Sequence, residues 1–280
     1  MSVASRWLIC RWQIALLALC ILAFAAATDA KADQNQSIRL LSDEAADACI
    51  QDVACMRDLF VRAAFGDNQE ADAEAPPLFK WNGPVQIGSF FGEGIDDPVQ
   101  QVIRQSLAQM HLLGRIAGSD LSLAKANGSD VINFILLISD DFPADRDRAF
   151  STLLSNVFGG HVALYDELSS GPSPVCKGHL FAETKASVSG GLGLVDAGVD
   201  AAVLGRCLHQ AVLNVLGLRY QLPETVDSVL NPTSQRDAWT SVDFLLLKML
   251  HDPALRPGMT RAEVTAIFPE LHQRALSPSS

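Results

Sequence analysis

Residues 207–218 read Cys-Leu-His-Gln-Ala-Val-Leu-Asn-Val-Leu-Gly-Leu. Zinc peptidases hold their metal on a helix through H-E-x-x-H. That spacing aims two imidazoles at one point and leaves the intervening glutamate to act as general base. With the glycine that follows in H-E-x-x-H-x-x-G set on Gly217, the ligand positions fall on Gln210 and Asn214, and the base falls on Ala211. Carboxamides are weak zinc ligands beside imidazole, thiolate or carboxylate, and alanine moves no proton. The frame of a metal-binding helix is present and its chemistry has been replaced.

The same helix can be read by periodicity. At about 100° per residue, Leu204, Leu208, Ala211, Val212 and Val215 share a core face. Arg206, Gln210, Asn214 and Gly217 form a polar stripe on the other side, and His209 sits on the flank beside Leu213 and Leu216. Such a stripe either hydrogen-bonds a ligand in a cleft or satisfies buried backbone of a neighbouring loop. We take Arg206, His209, Gln210 and Asn214 as the candidate binding residues.

Other chemistry is sparse. His111, His161, His179, His209, His251 and His272 never stand four apart on one helix. A nonstandard metal site would have to be assembled from residues such as His209, His179 and Asp227, with His161 near the same loop. No G-x-S-x-G places a serine nucleophile. The sequence calls for no catalytic residue, no metal and no cofactor.

The N-terminus reads as a secretory signal over residues 1–30: Arg6 and Arg11, then an apolar run from Ile14 to Ala27, then small residues. Its removal takes Cys10 and Cys20 and leaves Cys49, Cys55, Cys176 and Cys207. Four cysteines in an exported chain suggest disulfides. Cys49–Cys55 would close a local loop, and Cys176–Cys207 would tie the segment before the key helix to its first turns. Other pairings stay open, and the lack of C-x-x-C argues against a four-cysteine zinc site. The net charge is −11. Such a chain repels nucleic acid and anionic lipid, so membrane contact is expected through the signal segment alone.

The elements that position these residues follow from local signals. Residues 31–77 form an acidic segment and linker, with a helix or helical hairpin within Ser42–Phe65. A domain is expected over 78–272 and a disordered tail over 273–280. Phe79–Phe91 reads as strand. Asp96-Asp97-Pro98 opens a helix closed by Gly114. Val131–Ile138 reads as a buried strand, and Asp141 and Pro143 open a helix reaching Phe158. Residues 179–188 read as an edge strand, and Gly190, Gly191 and Gly193 as a turn. Asp200 caps the key helix, which runs to Leu216. Thr240–Asp243 and Thr260–Glu263 are capping boxes, the second opening a short final helix. The order of elements predicts an α+β domain with a small mixed sheet.

Four strings together resemble a known family: Cys207-Leu208 with Leu216-Gly217-Leu218, then Ser228-Val-Leu-Asn231, then Asp243–Leu250, then Asp252-Pro-Ala-Leu-Arg-Pro-Gly-Met259. They are similar to the bacterial secreted family catalogued as domain of unknown function 2927, itself similar to metzincin peptidases. The resemblance spans roughly residues 78–272. It implies a zincin-like fold. In that frame Ser228–Pro232 resembles the turn beneath the metal site, with Leu230 in place of its methionine, and Trp239–Asp243 resembles the start of the closing helix. The family's helix usually carries acidic residues and a glutamine; here Gln210, Ala211 and Asn214 offer no carboxylate. The function expected is that of a secreted or periplasmic degenerate peptidase that binds a peptide, glycan or protein partner of the envelope. A metal-dependent hydrolase with nonstandard ligands is the alternative. A third reading makes the acidic segment 33–77 the interaction element.

Overall fold

The computed structural model describes residues 44–67, 76–124, 131–153, 162–170, 175–184 and 186–277. The signal segment lies outside them. Helices α1 (Glu44–Gln51) and α2 (Val53–Phe65) come first, joined by the Cys49–Cys55 disulfide. They belong to the same compact unit as the sheet. Phe60 meets Phe268 at 5.9 Å between ring centres, which anchors α2 on the last helix.

Six strands follow: β1 (Lys80–Trp81), β2 (Val85–Phe91), β3 (Leu121–Leu123), β4 (Phe134–Ser139), β5 (Cys176–Thr184) and β6 (Ser187–Asp196). The expected single strand over 79–91 is broken by Asn82-Gly83-Pro84, where proline has no N–H to donate. β2 pairs in parallel with β3 and β4, and β6 in parallel with β4 and β1. Only β5–β6 is antiparallel, with Gly178 opposite Gly193 and Leu180 opposite Gly191. The sheet is therefore mixed but mostly parallel, and larger than expected. A three-residue strand such as β3 carries too little pattern to be read locally.

Parallel neighbours need crossover connections, and helices supply them. Between β2 and β3 runs α3 (Asp97–Ile116), capped by Asp96, whose carboxylate accepts from Val99 N at 3.0 Å. Between β4 and β5 lie α4 (Phe142–Asp147) and α5 (Val162–Ser169). The helix expected from Asp141 to Phe158 thus ends at Asp147. The chain turns there so that Phe150 can enter a core with Phe142, Tyr165, Ile135, Leu137, Leu192 and Leu194. The Tyr165 hydroxyl closes it by donating to Phe142 O at 2.6 Å.

The opposite face of the sheet carries α6 (Ala201–Leu216), which packs on β5 and β6. Asp200 caps it as expected, accepting from Ala202 N and Val203 N at 3.1 Å. The glycines expected to form a turn are in strand β6 instead. Side-chain-free positions read as punctuation in a sequence, but here they make room. A Cβ on Gly191 would lie 2.3 Å from Val215 Cγ1, and one on Gly193 would lie 2.7 Å from Leu136 Cδ1. Across the ladder, a Cβ on Gly178 would lie 2.8 Å from Asn214 Cβ and 2.9 Å from the Ala211 carbonyl.

Helices α7 (Ser241–Leu250) and α8 (Arg261–Leu276) complete the fold, each opened by a full capping box. α8 is longer than its local signals suggest and passes through Pro269. It buries Val264, Phe268, Leu271, His272 and Ala275, and this burial outweighs the one backbone bond that proline removes. It stays helical into the stretch read as tail. Among the described residues, no helix is long and apolar enough to cross a membrane.

The close approach gives a test. Gly178→Ala meets backbone and a Cβ, which cannot swing aside, and should destabilise by about 1–3 kcal/mol in urea unfolding. A Cβ on Gly190 would meet nothing nearer than 3.4 Å, so Gly190→Ala should be tolerated. Equal losses in the two variants would refute the close-approach account.

Candidate functional site

The four candidate binding residues, Arg206, His209, Gln210 and Asn214, are divided by the structure into two pairs. Arg206 and His209 are tied to the protein's own backbone. The Arg206 guanidinium donates through Nη1 to Pro232 O at 3.0 Å and Ser234 O at 2.8 Å. His209 is buried, with Nδ1 2.8 Å from Gly205 O and its ring edge-on to Trp239 at 5.9 Å. The Trp239 indole N–H in turn donates to His209 O at 3.2 Å. These contacts pin the irregular chain 217–238 onto α6. Burial pulls the His209 imidazole down to about 4, so it stays neutral at ordinary pH.

The same loop is held from the other side by a buried carboxylate. Asp243 accepts from Ser228 Oγ at 2.5 Å, Val229 N at 3.0 Å and Thr240 N at 2.9 Å, and Thr240 Oγ1 lies 3.0 Å away. Burial pushes its carboxyl up to about 6 despite those donors. Asn231 bridges Glu224 O and Val226 O through Nδ2 at 2.8 and 3.0 Å. Asp227, one of the residues considered for an unusual metal site, is bound in a two-pronged ion pair to Arg236 at 2.6 and 3.1 Å.

Gln210 and Asn214 face a different environment. They line a cleft of about 490 Å³ whose walls are α6, the start of β5 (Cys176, Lys177 and Gly178) and the turn Arg219-Tyr220-Gln221. Arg62 and Asp67, from the end of α2 and the residues after it, close one side. Asn214 donates through Nδ2 to Leu218 O at 2.7 Å, satisfying a carbonyl just beyond the helix end. Gln210 as a residue is 8 % exposed, and its carboxamide makes no hydrogen bond to any described residue. The Cys176–Cys207 disulfide joins the first residue of β5 to α6, as the spacing suggested, and holds the two walls together.

The turn after α6 depends on Gly217, at φ 123°, where a Cβ would lie 2.7 Å from Phe79 O. That turn lays Arg219 over the Phe79 ring at 4.4 Å and near Tyr220 at 5.4 Å. Arg62 is paired with Asp67 at 2.7 Å. Lys177 and Arg219 have no acidic partner among the described residues. Sequence reasoning did not find Lys177, Arg219 or Tyr220. Their signals were adjacency alone: Lys177 follows the cysteine that pairs with Cys207, and Arg219 follows the helix-ending glycine.

The family model described as a protein of unknown function, DUF2927, matches residues 53–270. The chain belongs to the DUF2927 family. The match begins in α2, upstream of the strings at 207–259 that first pointed to it. Comparison with curated proteins and with solved structures gives no match.

The spacing of Gln210, Ala211, Asn214 and Gly217 on α6 raises the question of a metal. Here the residues do not fit one. Gln210 and Asn214 offer carboxamides, Ala211 offers nothing, and Asn214 Nδ2 is already committed to Leu218 O. His209, Asp227 and His179 do not converge either. No group of three His, Cys, Asp or Glu side chains suited to a metal occurs among the described residues. His161 lies outside those residues.

His209 makes its structural role measurable. Its folded pKa of about 4 lies below the ordinary 6.5, so the unfolded chain takes up a proton that the folded one refuses. The stability it confers is full above pH 6.5 and is lost as pH falls towards 4. Relative to wild type, His209→Gln should be destabilised at pH 7, and that deficit should narrow by about 2 kcal/mol at pH 5. A deficit independent of pH in urea unfolding would show that His209 titrates normally.

Proposed function

We propose that this protein is an exported, non-catalytic relative of the zinc peptidases that binds an extended peptide in the cleft between β5 and α6. Export is supported by the signal-like N-terminus and by two disulfides in the folded chain. The peptidase kinship is supported by the helix frame around Gln210 and Asn214, by the Gly217 turn, and by the loop 228–231 packed back towards α6. The exchange of ligand and base residues argues for binding without hydrolysis.

One observation carries the binding reading: Gln210 stands on α6 with its stem buried and lines the cleft, and its carboxamide makes no hydrogen bond to any described residue. The fold leaves both its donor and its acceptor uncommitted on the cleft side, so they are available to a partner that arrives from outside. The cleft supports a peptide over other ligands. Its wall β5 pairs only with β6, and the other edge of β5 offers backbone N–H and C=O groups to an added strand.

Gln210→Ala removes no internal hydrogen bond, so the thermal midpoint should move by no more than about 2 °C. Binding to an array of immobilised decapeptides should fall about tenfold. Asn214→Ala, by contrast, should cost stability, because it frees the buried Leu218 carbonyl. An array that the wild-type protein ignores, or one bound equally by Gln210→Ala, would end the proposal.

A further inference from the structure

The cleft reverses the sign of the molecule that carries it. The chain bears −11 overall, yet among the described residues three basic side chains, Arg62, Lys177 and Arg219, line the cleft against one acid, Asp67. Asp67 is taken by Arg62. The two remaining cations have no ion-pair partner among the described residues.

Their placement is also specific. Lys177 stands on β5 itself, next to the disulfide that anchors the strand. The Arg219 guanidinium carbon lies over the rings of Phe79 and Tyr220, 4.4 and 5.4 Å from their centres. The two rings restrict where the guanidinium sits, and none of its N–H groups bonds to a described residue, so they remain available to a carboxylate. Gln210 adds an amide that can donate between them.

We infer that the peptide held in this cleft is acidic: a side-chain carboxylate of an extended segment is received by Lys177 and Arg219, with Gln210 hydrogen-bonding alongside. The inference rests on the peptide-binding reading above and names the class of peptide. A neutral segment would satisfy the edge of β5 and leave both cations unused. A compact anion would use the cations and leave the strand edge unused. The surrounding negative field repels acidic chains in general, so attraction is confined to the cleft and depends on salt.

The test uses the full mature protein and an array of decapeptides. Each peptide is also present with every Asp and Glu replaced by Asn and Gln. Bound peptides should lose about tenfold in signal on amidation, and a similar factor when salt is raised from about 0.05 to about 0.3 M. Lys177→Gln combined with Arg219→Gln should lose about tenfold towards acidic peptides at an unchanged thermal midpoint, and Arg219→Lys should fall between that variant and wild type. Peptides bound equally in both forms, with the double variant unaffected, would overturn the acidic assignment and leave peptide binding intact. Competition by inorganic phosphate as effective as by acidic peptide would also overturn it. An array that binds nothing would overturn both readings together.

Discussion

Everything distinctive in this protein depends on how closely α6 approaches β5 and β6. The helix comes within reach of the strands because Gly178 and Gly191 present no side chain where Asn214, Ala211 and Val215 arrive. A larger residue at either position would push helix and strand apart. Trp81 locks the approach from the side, its indole N–H donating to Val215 O at 2.7 Å in a buried bond. Gln210 and Lys177 face one space only because these two elements nearly touch. The glycines therefore set the shape of the cleft, although they line only its edge.

Around that contact, the polar residues divide by their distance from water. Arg206, His209, Asn231 and Asp243 spend their hydrogen bonds within residues 205–240, on backbone groups and, for Asn231 and Asp243, on the hydroxyls of Thr233, Ser228 and Thr240 as well. An irregular loop of that length needs such internal partners, since each buried carbonyl or amide left alone costs about 1–3 kcal/mol. The string 252–259 is equally architectural. Lys80 Nζ donates to Asp252 O and Leu255 O at 2.8 Å, while Leu78 N donates to Met259 O at 2.8 Å. The motifs that signal kinship most clearly are thus largely those that brace loops.

This explains what the sequence could and could not disclose. Helix α6 was legible to the residue, because its cap, its apolar period and its terminal glycine agree. Both disulfide pairs were suggested by spacing. The polar stripe was legible as a stripe, but its division was not. Whether Arg206 reaches a ligand or the carbonyls of Pro232 and Ser234 depends on where a distant loop returns. Gly190, Gly191 and Gly193 were misread because the absence of a side chain looks the same in a turn and beneath a packed helix. Lys177 and Arg219 were invisible as a pair because they come from separate elements and meet only through the fold.

The Cys176–Cys207 bond gives the cleft a property that the hydrogen bonds alone would not. It staples one wall to the other at the end of the groove, across a closed loop of chain that holds all of β5, all of β6 and the first turns of α6. Walls fixed in this way cannot spread to admit a guest and then clasp it. On the proposed peptide-binding reading the groove is a preformed mould, and nearly all the ordering entropy of the encounter falls on the guest.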